Sequence, residues 1–235
     1  MINSQAADSV IDHALLLGAD FAELFIEKNE TNVVSSLSNE VQSVESGINF
    51  GIGLRLIYGN KVLYGYTNKT DQDELLRIAS VLAAKDLRDP VSTSKSFNFS
   101  QISDIHPAQK ILSIDAEIES KVAYLMSADR AARAAGKQIS RTRGSCMQRE
   151  QYVEIYNSDG LHTSDKRNYI RANLTAIASD GDEQATGSWN DGGLLGWEIE
   201  AAINPQRTGE EAARQALVNL TAKHCPSGRM PVISG

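Results

Sequence analysis

The sequence predicts an α+β fold of two helix–β-meander–helix units, with an antiparallel or mixed sheet and helices packed on one face. Three observations carry this reading. Apolar residues recur at helical spacing in four separate segments. Between those segments lie runs that alternate apolar and polar residues, divided by glycine-bearing turns. The order helix, meander, helix then occurs twice, which points to an internal duplication resting on pattern rather than on residue identity.

In the first unit, Ala7, Val10, Ile11, Ala14 and Leu15 mark a helix within Ser4–Asp20, and Gly18 stands where a helix C-terminus favours glycine. The strand candidates are "FAELFIEK", "TNVVSSL" and "EVQSVESG", then "GIGLRLIYGNKVLYGY", whose two alternating runs flank a Gly59-Asn60 hairpin turn. Thr70 and Asp71 cap a second helix with an apolar stripe of Leu75, Ile78, Ala79 and Leu82, and Asp73 and Glu74 suit its positive end. Residues from about Asp89 to Pro107 lack periodicity and predict a surface connection.

The second unit opens with a helix from about Asp115 to Gly136, striped by Ile118, Val122, Leu125, Met126 and Ala132. Strand candidates follow in "ISRTRGSCM", "QYVEIYN", "LHTSDKR", "YIRANLTAIA" and "EQATGSW", with turns at Ser158–Gly160 and Ser179–Asp182. Thr208 and Glu211 form a capping box ahead of Ala213, Ala216, Leu217 and Leu220. The expected boundaries are 1–88 for the first unit, 89–110 for the connection and 111–225 for the second unit. Residues 226–235, ending "PVISG", read as the start of a strand or linker into a further domain.

Composition narrows the function. With 41% hydrophobic residues over 235, the chain can bury a sizeable core. Thirty acidic residues against 23 Lys and Arg give a formal charge of -7, which disfavours direct nucleic-acid binding. No apolar run approaches the roughly 18 residues of a membrane span, and no signal peptide is readable, so a cytoplasmic protein without a membrane partner is expected. Cys146 and Cys225 form no CxxC and read as free thiols.

A search for chemistry finds little. His13, His106, His162 and His224 are isolated in sequence, and His224-Cys225 alone cannot fill a tetrahedral metal site. The glycines of "GINFGIGLRL" lack both phosphate-loop patterns and read as strand glycines that admit close backbone packing. Cys146 and Ser188 are possible nucleophiles without a GxSxG elbow or an evident His or Asp partner. Arg141, Arg143, Arg149, Lys166, Arg167 and Arg171 gather in the second meander, either as a solvated sheet face or as a site for a carboxylate or acidic partner. Asp180, Asp182 and Glu183 occupy a turn without EF-hand spacing. No catalytic or metal-ligating residue is therefore assigned, and the substrate-binding residues stay open.

The tail "EEAARQALVNLTAKHCPSGRMPVISG", with its Pro-x-Gly-x-x-Pro-Val, resembles the end of the N-terminal domain in the TldD/PmbA (TldD/TldE) metalloprotease family, and the TldD branch more than PmbA. The resemblance extends over "DFAELFIEKNETNVVSSLSNEVQSVESGINFGIGLRLIYGNKVLYGYTN", including Gly51-Ile52-Gly53-Leu54-Arg55, and over "YNSDGLHTSDKRNYIRANLTAIASDGDEQATGSW". It implies a following C-terminal domain with HExxxH on a helix, whose histidines bind zinc and whose glutamate activates water. That motif is absent from this sequence, so no catalytic or zinc-binding role transfers to any residue here.

The resemblance further implies cytoplasmic peptidases that act on small or unfolded peptides, mature peptide antibiotics and assemble as homodimers or TldD/TldE pairs, some of them named modulators of DNA gyrase. The expected function is thus the non-catalytic N-terminal portion of a zinc metallopeptidase, helping to form a substrate chamber and a dimer. A free-standing peptide-binding or assembly module of the same fold is the alternative. Hydrolysis by Ser188 or Cys146 without metal ranks below both.

Overall fold

A computed structural model describes residues 2–86, 89, 96–102, 118–223 and 227–233. Its elements are α1 (Ser4–Leu16), β1 (Phe21–Leu37), β2 (Glu40–Tyr58), β3 (Lys61–Thr67), α2 (Gln72–Ala83), β4 (Ser100–Ile102), α3 (Ile118–Ala134), β5 (Ile139–Asn157), β6 (Leu161–Asp180), β7 (Glu183–Gly193), a 3₁₀ turn (Trp197–Ala201) and α4 (Pro205–Leu220). The order helix, meander, helix is present in both units. The strands form one sheet in the order β3-β2-β1-β5-β6-β4, with β7 also on β6. Every pairing is antiparallel except the short β4–β6 contact.

The two units meet where β1 and β5 pair without interruption from Glu23↔Asn157 to Leu37↔Arg143. Alternation sorts their residues onto two faces. Ala22, Leu24, Ile26 and Val34 of β1 share a face with Tyr156 and Cys146 of β5, and this face is covered by helices. Over it, α1 and α2 close one core on Leu24, Ile26, Ile52, Leu54 and Leu56. A second core lies under α3 and α4, around Leu125, Cys146, Ala172 and Leu174. Between the cores runs a polar band, in which Lys121 donates to Asn32 (2.8 Å), Lys28 meets Glu30 (2.5 Å) and Lys166 meets Glu150 (3.0 Å).

The separate strand candidates fuse in pairs. "FAELFIEK" and "TNVVSSL" make one β1, "ISRTRGSCM" and "QYVEIYN" one β5, and "LHTSDKR" and "YIRANLTAIA" one β6. Polar residues mid-strand lie in the gap between helix pairs or on the uncovered face, so they interrupt the apolar pattern without interrupting the ladder. The β1–β2 hairpin turns on Ser38 and Asn39, both at positive φ (49° and 66°), where the sequence signals no glycine. The Ser179–Asp182 turn narrows to Gly181-Asp182, with φ 58° at Gly181.

Other boundaries also shift. α4 begins at Pro205, with Asn204 as its N-cap accepting from Arg207 N (3.2 Å). The Thr208–Glu211 capping box does not form, because the Thr208 hydroxyl is buried against the Tyr124 hydroxyl (2.8 Å) within the helix. α3 turns Lys121, Tyr124, Leu125, Ala128, Asp129, Ala131 and Ala132 inward, leaving Ile118 exposed and Val122 and Met126 only partly buried. Its stripe is rotated because Lys121 and Asp129 have polar partners below, namely Asn32 and Thr142. The expected helical start near Asp115 lies outside the described residues. Within the expected connection, Ser100–Ile102 form β4 on Leu161–Thr163, and Phe99 meets Tyr156 edge-on (5.1 Å between centroids).

The α3–α4 crossing depends on small residues. A Cβ at Gly209 would overlap the Ala128 carbonyl, and one at Gly187 would overlap the α4 backbone at Ala212 and Ala216. Gly209→Ala should therefore lower unfolding free energy by about 2–3 kcal/mol. Gly47→Ala, with nothing within 4 Å of the new methyl, should stay within about 0.5 kcal/mol of the parent. Urea denaturation of both variants measures the difference.

Candidate functional site

The face opposite the helices is open, and no described element covers it. Between the register shifts at Ser35/Ser36 and Ile139/Arg141, odd-numbered residues of β1, β2, β5 and β6 and even-numbered residues of β3 and β7 point to it, as the register requires. At its centre, where β1 meets β5, four polar side chains form one network. Asn29 Oδ1 accepts from Arg149 Nε (2.8 Å), while Glu27 Oε1 accepts from Asn29 Nδ2 (2.9 Å) and Gln151 Nε2 (2.5 Å). Those bonds, from Asn29 first and then Gln151, hold the Glu27 carboxyl below its ordinary value of 4.5.

A depression lies on each side of this network. One, of about 640 Å³, is floored by Gly51 and Gly53 and walled by Phe25, Tyr64 and Tyr66. A side chain at Gly53 would overlap the Tyr64 ring, so the glycine is what lets the tyrosine lie across β2. Of the "GINFGIGLRL" glycines, Gly53 packs closely, against a side chain rather than backbone, whereas Gly47 has nothing within 4 Å. The other depression, of about 660 Å³, is lined by Arg149, Tyr169, Arg171, Asn190, Gly192 and Gly193. The first uses β1, β2 and β3 and the second uses β5, β6 and β7, so corresponding strands of the two units build corresponding hollows.

The arginine-rich meander divides between faces. Arg141, Arg143, Arg149, Arg167 and Arg171 lie on the open face, whereas Lys166 lies on the helix side against Glu150. Cys146 is fully buried under α3, and burial pushes its thiol up to about 12, so it is not a reactive nucleophile. Ser188 is exposed on β7, and no described His or Asp hydrogen-bonds its hydroxyl. Neither residue supports the metal-free hydrolase reading.

The two described histidines serve packing. His13 Nε2 meets Ser80 Oγ (2.9 Å) between α1 and α2. His162 stacks on Tyr156 (4.1 Å between centroids) and bonds Glu154 Oε1 (2.9 Å). His106, His224 and Cys225 lie outside the described residues. Asp180, Asp182 and Glu183 are exposed at the β6–β7 hairpin. Among the described residues no three His, Cys, Asp or Glu side chains are grouped to hold a metal ion. No described helix is long and apolar enough to cross a membrane.

Two family profiles match the chain: PmbA/TldA metallopeptidase domain 1 over residues 22–85, and the PmbA/TldA metallopeptidase central domain over residues 112–220. The chain belongs to the PmbA/TldD metallopeptidase family. The metalloprotease TldD homolog of Haemophilus influenzae is 24% identical over 245 residues, covering 100% of this chain and 50% of that relative. The chain thus spans about half the length of the curated relative it matches.

Solved structures with the PmbA/TldD fold agree. A proposed modulator of DNA gyrase from Bacteroides thetaiotaomicron superposes with TM-score 0.75 at 14% identity, covering 97% of this chain and 53% of that one. One from Thermotoga maritima gives 0.71 at 15%, covering 95% and 50%. TldE from Thermococcus kodakarensis gives 0.66 at 16%, covering 90% and 47%. In this PmbA/TldD chain the sheet joins the regions of both profiles, and the open face spans them.

Sequence reasoning passed over Glu27, Asn29, Gln151, Tyr64, Tyr66 and Asn190. Their only signal was polar or aromatic character at every second position of a strand longer than its apolar pattern. The Glu27 network yields a test. Because the folded carboxyl releases its proton more readily than the unfolded one, Glu27 stabilises the fold above the ordinary carboxylate range and loses that contribution as pH falls through its folded value. Glu27→Gln should cost about 1 kcal/mol at neutral pH and less in acid. Denaturant melts at both pH values check this.

Proposed function

We propose that this chain is the non-catalytic half of a zinc metallopeptidase that degrades or matures small or unfolded peptides. The observation that carries the reading is the pair of metallopeptidase-family matches on a chain spanning half of a TldD homolog. Zinc and its water-activating glutamate belong to the other half of such a protein, and no hydrolytic step is assigned to residues here. The role of this chain is to bind and position peptide and to form part of the chamber wall.

Two surfaces suit that role. From Glu40 to Gly51, β2 extends beyond β3 and has no described strand on its outer side, so an extended peptide can add there through main-chain hydrogen bonds. The open face supplies hollows for side chains on either side of the Glu27 network. The chamber is completed in the cytoplasm by a second copy or by a TldE-like chain, a pairing supported by the likeness to TldE.

The endogenous protein, detected with an antibody against this chain, should have about twice the 25.5 kDa mass and show zinc-dependent peptide hydrolysis. An endogenous species of 25.5 kDa, or full-length protein whose turnover survives chelation, overturns the reading.

A further inference from the structure

We propose that the hollow between β5, β6 and β7 is a carboxylate subsite for extended peptides, with Arg149 and Arg171 as its paired cations. This rests on the peptide-handling reading above and adds the chemistry of the bound group.

The observation behind it is how Arg149 and Arg171 are held compared with five arginines that meet carboxylates. Arg55, Arg77, Arg133, Arg167 and Arg214 each meet a carboxylate, from Glu23, Glu74, Asp129, Asp165 and Glu211, at 2.6–3.0 Å. Arg149 and Arg171 are held by side-chain amides. Arg149 Nε donates to Asn29 Oδ1 (2.8 Å), and Arg171 donates to Asn190 Oδ1 from Nε (3.1 Å) and Nη2 (2.8 Å). An amide oxygen fixes a guanidinium in direction while leaving its charge in place. Arg149 also has the Glu27 carboxylate 3.5 Å from its Nη2, whereas Arg171 is oriented by Asn190 alone among the described residues; a cation oriented in this way is prepared for an anion.

Two acids stand nearby, and both have other partners. Glu27 is 3.5 Å from Arg149 Nη2, with Oε1 accepting from Asn29 and Gln151. Asp191 lines the hollow, and its Oδ1 accepts from Gly192 N (3.0 Å).

Arg149 and Arg171 both line this hollow, one bonded toward β1 and the other toward β7. Arg149 lies opposite Tyr169, and Met147 lies opposite Arg171. The arginines are therefore diagonal neighbours on one face, with Cα atoms about 7–8 Å apart. The Arg149 guanidinium lies over the Tyr169 ring, 6.0 Å from its centroid, which supports its plane without competing for its N–H groups. At the rim lie Gly192 (φ 154°), where a Cβ would overlap the Ile170 carbonyl, and Gly193, where one would meet Ile199.

The charge pattern gives the ligand a direction. The β5–β6–β7 half of the open face carries Arg141, Arg143, Arg149, Arg167 and Arg171 against Asp165, on a chain of net charge -7. The β1–β2–β3 half carries Glu23, Glu27 and Glu45 against Arg55, beside the Tyr64–Tyr66 hollow. From β6 to β2 is about 14 Å at the usual strand spacing, the reach of about four extended residues. A peptide whose carboxylate sits at Arg149 and Arg171 can thus lay an apolar side chain in the aromatic hollow.

The test is calorimetric titration of the chain with one short Gly/Ser/Phe sequence in three forms: free C-terminal acid, C-terminal amide, and amide with an internal glutamate. The free acid should bind about tenfold tighter than the plain amide. That gap should close in Arg171→Gln and in Arg149→Gln and persist in Arg77→Gln, whose arginine already has a carboxylate. Arg171 is exposed, so its variant tests the site even if Arg149→Gln fails to fold. If the internal-glutamate amide matches the free acid, the subsite accepts any carboxylate; if it matches the plain amide, the subsite reads a chain terminus. Equal binding of acid and plain amide overturns this inference and leaves peptide handling intact, whereas no binding of any form overturns both.

Discussion

The antiparallel ladder between β1 and β5 is the contact on which the rest of the molecule depends. It joins one helix–meander–helix unit to the other, sets which residues face the helices, and brings Glu27 and Asn29 of one unit to Arg149 and Gln151 of the other. A slip of one residue would turn the inward set of one strand, either Leu24 and Ile26 or Tyr156 and Cys146, toward solvent and split the polar network between the two faces. Burial on the helix side therefore fixes the geometry of the open side. The apolar cores and the polar site are two readings of a single register.

The junction is polar on both sides of the sheet. Asn32, Glu30, Gln148, Glu150 and Asn168 stand between the two cores on the helix side, and the buried amides of Gln148 and Asn168 have no hydrogen-bond partner among the described residues. Each such group opposes folding by about 1–3 kcal/mol. The offsetting stabilisation comes from the uninterrupted main-chain ladder and from the two flanking cores. Lys121 belongs to the same band. Burial lowers its pKa, and its contacts are the Asn32 amide oxygen and the face of Trp197, 5.5 Å away.

Much of the architecture was legible in the sequence. The stripes of α1 and α2, the Gly18 stop and the Gly59-Asn60 hairpin are local signals, and local physics decides them. The full length of β1, β5 and β6 was not legible, because residues such as Asn29, Glu30 and Gln148 read as breaks until the neighbouring strand is known. The rotation of α3 was hidden for a similar reason, since Lys121 and Asp129 are inward only because Asn32 and Thr142 lie below them. For the site, residue type drew attention to the arginines of β5 and β6. Residue type alone could not tell Arg167, paired with Asp165, from Arg171, held by Asn190.

Because β1 and β5 lie side by side, each unit taken alone would present a long strand with an unprotected row of amides and carbonyls along its margin. The stretches matched as separate profiles are for this reason mutually dependent bodies. An isolated half would be sticky, open to pairing with another copy of itself through the same edge. The single chain makes that association intramolecular, replacing an encounter limited by concentration with one set by a tether.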